Sequence, residues 1–434
     1  MPERDKRFVK ALVADQEGRF FDLDGYAAVG MAGRRLAPLL DSETIKMPFG
    51  GEHLFLPDRR PIAYNTVTDQ FEVLTENPTA PGEAVFPVAA FNAPGYMISL
   101  VSAYAEEPVA VPLPLFSYGA VGWLSGGFRV AALRVDRERR QDLRLMSSDK
   151  IAQGISRLRM SMPSNRLRTH LETCALTYGC PAAKNFFLGR YEAPIPTSTH
   201  CNARCFGCLS MQPEDTGIPN TQERIDFTPT PDEIAQVAVH HIKHARRPVV
   251  SFGQGCEGEP LLAADVIEPA IRLIRKATRR GTININTNAG IPSVFERLFD
   301  AGLDSIRVSM NSVRKSCYEA YFRPRGYGFN EVVESIDLAG RKGKFVSINY
   351  LNLPGFTDAE PEVEAFLSFL GGHPVNMIQW RNLNFDPVRY WQIMGSNGQG
   401  HELIGMVTLL EKVRNAFPRL QFGYFNPPKE KFDA

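Results

Sequence analysis

Thr199-His200-Cys201-Asn202-Ala203-Arg204-Cys205-Phe206-Gly207-Cys208 is the run on which the reading of this chain turns. Its spacing, C-x3-C-x2-C, sets three thiols on one short loop. Three thiolates can hold three corners of a cubane [4Fe–4S] cluster and leave the fourth iron without a protein ligand, open to a small molecule. Two other readings compete. Structural zinc usually draws four ligands from two separated pairs. His200 would have to complete such a set here, and adjacent residues on a tight loop seldom ligate one metal together. Chance clustering is the remaining possibility in a chain with seven cysteines.

Around the loop the pattern is strand alternating with helix. Strands are expected over 193–199, 248–252, 282–286, 305–310, 345–350 and 377–383. Helices are expected between them over 231–246, 263–280, 292–301, 312–321, 329–342 and 359–371. Six such units imply a parallel sheet with right-handed crossovers. Ligands gather at the C-terminal strand ends of such sheets. After the second strand comes Ser251-Phe252-Gly253-Gln254-Gly255-Cys256-Glu257-Gly258-Glu259-Pro260. Its glycines let backbone approach a ligand closely, and a carboxylate there can pair with an ammonium. A tight turn carrying a solvated acid is the plainer reading of the same residues.

With its cysteine loop followed one βα unit later by Gly258-Glu259-Pro260, the chain resembles the radical S-adenosylmethionine (radical SAM) enzymes. The likeness in element order runs from about residue 195 to 390. It implies an α/β fold, a partial (β/α)6 TIM-like barrel with the cluster loop after the first strand. It also implies a [4Fe–4S] cluster on Cys201, Cys205 and Cys208, with S-adenosyl-L-methionine (SAM) as cosubstrate. Gly258 and Glu259 would bind the methionine amino group, although Glu257 replaces the usual first glycine. The third strand end, Asn286-Thr287-Asn288, and the fourth strand, Arg307-Val308-Ser309, are similar to family stretches that touch the methionine carboxylate and ribose. Asn288, Ser309 and Arg307 are therefore the further cofactor-binding candidates; strand-end Asn and Ser also cap helices routinely. Asn349, Gln379 and Arg381 are weaker candidates on the adenine side. One departure stands out: the usual aromatic residue before the third cysteine is Gly207, with Phe206 one place earlier.

The implied chemistry is reductive cleavage of SAM to a 5′-deoxyadenosyl radical, which takes hydrogen from an unactivated C–H bond. The implied partner is a one-electron donor such as flavodoxin or ferredoxin. Four cysteines remain, Cys174, Cys180, Cys256 and Cys317, enough for a second iron–sulfur cluster. Buried free cysteine is the commoner state. Cys256 or Cys317 could instead return a hydrogen atom to a substrate radical. No cysteine follows Cys317, so the paired clusters of the family's SPASM or twitch extensions are missing, which counts against a peptide-maturase architecture.

Composition sets outer bounds. The chain has 434 residues, with 49 Lys and Arg against 48 Asp and Glu, so charge gives no argument for nucleic acid or an anionic membrane. The charged N-terminal heptapeptide lacks a signal-peptide core. Two uncharged stretches, 84–105 and 108–128, are long enough to span a bilayer, but their Pro and Gly fit buried strands and turns better. Reduced thiols and a cytoplasmic location are expected. Four segments follow: a β-rich region over 1–147, including a hairpin around Gln16-Glu17-Gly18; a helical connector over 148–190 rich in arginine (Arg157, Arg159, Arg166, Arg168); the core over 191–395; and a helical and strand extension over 396–434. The favoured substrate is a small molecule or peptide, with the N-terminal region selecting or covering it. A nucleic-acid-modifying enzyme that uses the arginines as a phosphate footprint is one alternative. A non-catalytic metal or iron–sulfur protein is the other.

Overall fold

The computed structural model describes residues 7–213, 216–395 and 401–433. Most of the charged N-terminal segment and the start of the C-terminal extension, at 396–400, lie outside the described residues.

Seven parallel strands form the sheet that positions the site. In chain order they are Glu192–Pro194, Val249–Phe252, Thr282–Thr287, Ser305–Met310, Phe345–Asn352, Met377–Asn382 and Gln421–Gly423, each paired with the next. The third is buried along its whole length, as a strand covered on both faces must be. Between the first six strands run the helices Pro231–His244, Ala264–Ala277, Pro292–Ala301, Lys315–Phe322, Phe329–Arg341 and Glu360–Gly372. Local chemistry fixes their ends. Thr230 and Glu233 form a reciprocal capping box at the start of the first. Gly302, at φ 118°, closes Pro292–Ala301 in the left-handed region.

One expectation needs correction: six strands were expected, and seven are present among the described residues. The seventh comes from the extension, where Gln421–Gly423 pairs with Met377–Gln379 after a crossover through helix Met406–Ala416. Its residues are too few to announce a strand by periodicity; pairing with an already formed neighbour makes it one.

The N-terminal region is antiparallel, and the hairpin Lys10–Ala14 with Phe20–Ala32 forms as expected. The uncharged stretches become strands such as Phe86–Phe91 and Gly119–Leu124, and no described helix is long and apolar enough to cross a membrane. One hydrophobic core joins this region to the sheet, from Met31 and Tyr118 through Ile155 and Phe187 to Ile306 and Trp380. A buried ion pair sits in the joint. Arg59 Nη2 lies 3.4 Å from Asp386 Oδ2, and both side chains are fully enclosed. Asp386 Oδ2 also accepts from the Leu113 amide, and Asp386 Oδ1 caps helix Pro387–Met394.

The connector helices Ser148–Ser161 and Arg166–Leu176 are followed by a third, Pro181–Phe187. Three of their arginines, Arg159, Arg166 and Arg168, are committed to carboxylates. Arg159 and Arg168 both pair with Glu172, and Arg166 grips Glu233 with two guanidinium nitrogens at 2.9 and 2.7 Å. Charges neutralised in this way are poor partners for a phosphate backbone.

Candidate active site

The loop after the first strand carries the three cysteines, each half-buried. Backbone bonds hold it from two sides. Gly258 and Glu259 donate their amides to the carbonyls of Ser198 and His200, at 2.7 and 2.8 Å. Arg204 and Phe206 donate to Phe322 and Tyr321 at the end of helix Lys315–Phe322. Gly258 must be glycine: a Cβ there would come 1.9 Å from the His200 carbonyl oxygen.

The two glutamates of the next loop face different neighbours. Glu257, in the position of the family's first glycine, accepts four backbone amides. Thr197 and Ser198 donate to one oxygen at 2.8 and 2.9 Å, and Gly253 and Gln254 to the other at 2.6 and 2.7 Å. It staples the first loop to the second. Glu259 turns toward the third strand. Its Oε1 accepts from the Thr287 hydroxyl at 2.5 Å and the Leu261 amide at 3.1 Å, and its Oε2 from the Asn288 amide at 2.8 Å. Burial raises both carboxyls to about 7.

The eight principal sequence candidates border one cavity of about 310 Å³: Cys201, Cys205, Cys208, Gly258, Glu259, Asn288, Arg307 and Ser309. Strand alternation explains the approach from the fourth to sixth strands, since residues two apart share a face. Arg307 and Ser309 come from the fourth, Asn349 and Leu351 from the fifth, and Arg381 from the sixth. Gln379 does not border the cavity; buried beneath, it accepts from Arg307 Nη1 at 3.1 Å. Burial first, and then the nearby Arg381, lower Arg307 to about 10. Asn288 is already engaged, donating to Asn202 at 2.7 Å and accepting from the Gly290 amide at 2.9 Å.

Three features escaped the sequence reading. Tyr321 fills the space opposite Gly207, where a Cβ would come 2.3 Å from its hydroxyl, so an aromatic ring reaches this wall from another element. Arg224 Nη2 lies 3.6 Å from Cys208 Sγ, placing a cation beside one thiol. His170 joins Cys174 and Cys256 in a second donor cluster. Cys317 is not part of that cluster. Buried on helix Lys315–Phe322, it is surrounded by Arg314, Glu362 and Ser312. Neither Cys256 nor Cys317 borders the cavity.

The donor set fits an iron–sulfur cluster. Burial, followed by the charge of Glu259, pushes Cys201 up to about 11, and burial raises Cys205 too. Thiols that resist ionisation alone become ligands when a metal displaces their protons.

The radical SAM superfamily model matches residues 195–367. Molybdenum cofactor biosynthesis protein 1 of Mus musculus is 28% identical over 229 residues, covering 52% of this chain and 32% of that protein. The GTP 3',8-cyclase of Listeria monocytogenes is 28% identical over 187 residues, covering 42% and 51%. The chain thus spans about half or less of the curated relatives it matches. Among solved structures, Streptococcus suis SuiB bound to precursor peptide SuiA aligns at 14% identity and a TM-score of 0.38, over 58% of this chain and 53% of that one. Cysteine loop, glutamate loop and parallel sheet all fall within or beside the matched segment, so residues 195–367 carry the likeness to a radical SAM domain.

Proposed function

We propose that this chain binds a [4Fe–4S] cluster on Cys201, Cys205 and Cys208 and uses it to cleave SAM reductively, abstracting hydrogen from a small-molecule or peptide substrate. The observation that carries the reading is the convergence of all eight candidates, from four separate stretches of chain, on one cavity at the C-terminal ends of the parallel strands. Bound there, cluster and SAM would supply one-electron cleavage of a sulfur–carbon bond and the hydrogen abstraction that follows.

The chain's own residues bind and orient. Glu259 Oε2 has one protein partner and an acceptor site to spare for an ammonium. Its proton must leave first, so it binds an amine best above its raised value of about 7. Gly258 keeps the backbone close enough to be read directly. Arg307 and Arg381 give the opposite wall positive charge, suited to a carboxylate or another anionic group. Tyr321 brings an aromatic side chain to the wall where Gly207 lacks one.

A small-molecule substrate draws support from the cyclase relatives, whose name specifies GTP. The nucleic-acid alternative loses its main support because Arg159, Arg166 and Arg168 are paired with glutamates. The N-terminal region would help to close the substrate side, since Asn382 on the cavity rim accepts from the Ile98 amide at 2.9 Å and donates to the Tyr96 carbonyl at 3.0 Å. A one-electron donor of the flavodoxin or ferredoxin type would serve as reductant.

The test is anaerobic reconstitution with iron and sulfide, reduction with dithionite, and assay of 5′-deoxyadenosine from SAM. Product from wild type but not from Cys201→Ala/Cys205→Ala/Cys208→Ala is the expected result. A fully loaded wild type that forms none would favour the metal-binding alternative.

A further inference from the structure

Away from the cavity lining, His170, Cys174 and Cys256 bring one ring nitrogen and two sulfurs within 4.8 Å of one another. His170 and Cys174 stand one turn apart on helix Arg166–Leu176, so both project from one face. Cys256 arrives from the loop after the second strand, and its sulfur lies within 4.8 Å of that of Cys174. Both cysteines are buried, whereas His170 is half-buried with its ring edge-on to Phe227. His170 Nε2 lies 3.5 Å from Cys174 Sγ. On a tetrahedral zinc ion, with Zn–S about 2.3 Å and Zn–N about 2.05 Å, such a pair would stand about 3.6 Å apart. Cys180 is the neighbour. Its amide donates to the Cys174 carbonyl at 2.9 Å, while its thiol lies outside the group of donors within 4.8 Å of one another.

We propose that His170, Cys174 and Cys256 bind a single zinc-class divalent cation, with the neighbouring Cys180 turning in as the fourth donor. One nitrogen and two or three sulfurs form a borderline-soft set that suits zinc and disfavours the oxygen-seeking Mg²⁺ and Ca²⁺. The donors are also closer together than a cubane requires, since a cubane sets each thiolate on a different iron. The second iron–sulfur cluster considered for the spare cysteines is therefore replaced by a one-ion site, and Cys317 lies outside it. The ion would act as a fastener. Cys256 directly precedes Glu257, whose carboxylate gathers amides from both loops at the cavity, so metal here ties the connector helix to the frame of the active site.

The site is tested in the full-length Cys201→Ala/Cys205→Ala/Cys208→Ala protein, where the loop thiols cannot compete for metal. Elemental analysis should find about one zinc per chain and almost no iron. After chelation, titration with Co²⁺ should give thiolate charge-transfer bands and the intense ligand-field bands of a tetrahedral ion. Adding Cys256→Ser should remove those bands. His170→Gln, on a half-exposed helix face, should weaken Co²⁺ binding about tenfold or more while far-UV circular dichroism stays unchanged. A folded triple variant with no zinc and no cobalt bands would overturn the proposal. So would about four irons per chain, or a Cys174–Cys256 disulfide in anaerobically purified protein. The metal count is independent of SAM cleavage, so failure here would leave the proposed enzymatic function standing.

Discussion

Two groups of cysteines lie on either side of Glu257, and they differ in what surrounds them. Cys201, Cys205 and Cys208 sit on a loop anchored through its backbone, which leaves the half-buried thiols to border an open cavity. Cys174 and Cys256 are enclosed, one on a helix and one on a loop, with a histidine supplied one turn away. The same donor element thus suits a reaction centre in one place and a fastener in the other. The deciding factor is whether the protein fills every coordination position or leaves one facing solvent and substrate.

Glu257 is where this contrast breaks most visibly. Glu257→Ala would strand four amide donors, two of them buried and two half-buried, and at about 1 kcal/mol for each the loss of stability should reach about 4 kcal/mol. Urea denaturation measures it, and a loss below about 1 kcal/mol would show that the loops hold together without the staple. Asp386→Ala should cost about 3 kcal/mol at the joint with the N-terminal region, because the Leu113 amide and the start of helix Pro387–Met394 lose their acceptor while Arg59 keeps Glu106 at 3.0 Å. Because Asp386 touches neither group of cysteines, iron loading should stay normal, and parallel loss of iron would mean that the joint shapes the site.

Glu259→Gln separates binding from stability. Removal of a charged partner from an ammonium should weaken SAM binding by about 10- to 100-fold, with a smaller change in urea midpoint than for Glu257→Ala. The sign of the pH dependence follows from the raised carboxyl. Below about 7 Glu259 is protonated and cannot pair with the amine, so wild-type affinity should rise through pH 7 and level off above it. Calorimetric titration of SAM across that range should find the rise absent in Glu259→Gln. The smallest effect belongs to Arg224→Ala. Loss of a cation beside Cys208 should lower the cluster potential, on the order of tens of millivolts, as read by redox titration.

The parallel sheet was largely legible because its signals are local. Ser305–Met310 and Pro292–Ala301 fall on their expected bounds, since apolar strands alternate with amphipathic helices and Pro or Gly marks the joins. The antiparallel region was less so. Arg59–Asn65 and Phe86–Phe91 contain Pro61 and Pro87 and owe their strand form to partners far away in sequence. Gly127–Val130 and Ala132–Arg134 divide at Ala131 because they pair with different partners, which no local signal marks. At the site, motif spacing exposed the cysteines and Glu259. It could not expose Tyr321, Arg224 or His170, which reach their places only through tertiary packing, nor the four amides that converge on Glu257.

Electron paramagnetic resonance of the reduced, reconstituted wild type, recorded with and without SAM, bears most directly on the central claim. If the cavity beside Glu259 leaves one iron open, SAM must change the g-values of the cluster, and Glu259→Gln must require more SAM for the same change. A fully loaded cluster whose spectrum ignores SAM at saturating concentration would contradict the account and leave the three cysteines as ligands of a closed, non-catalytic centre.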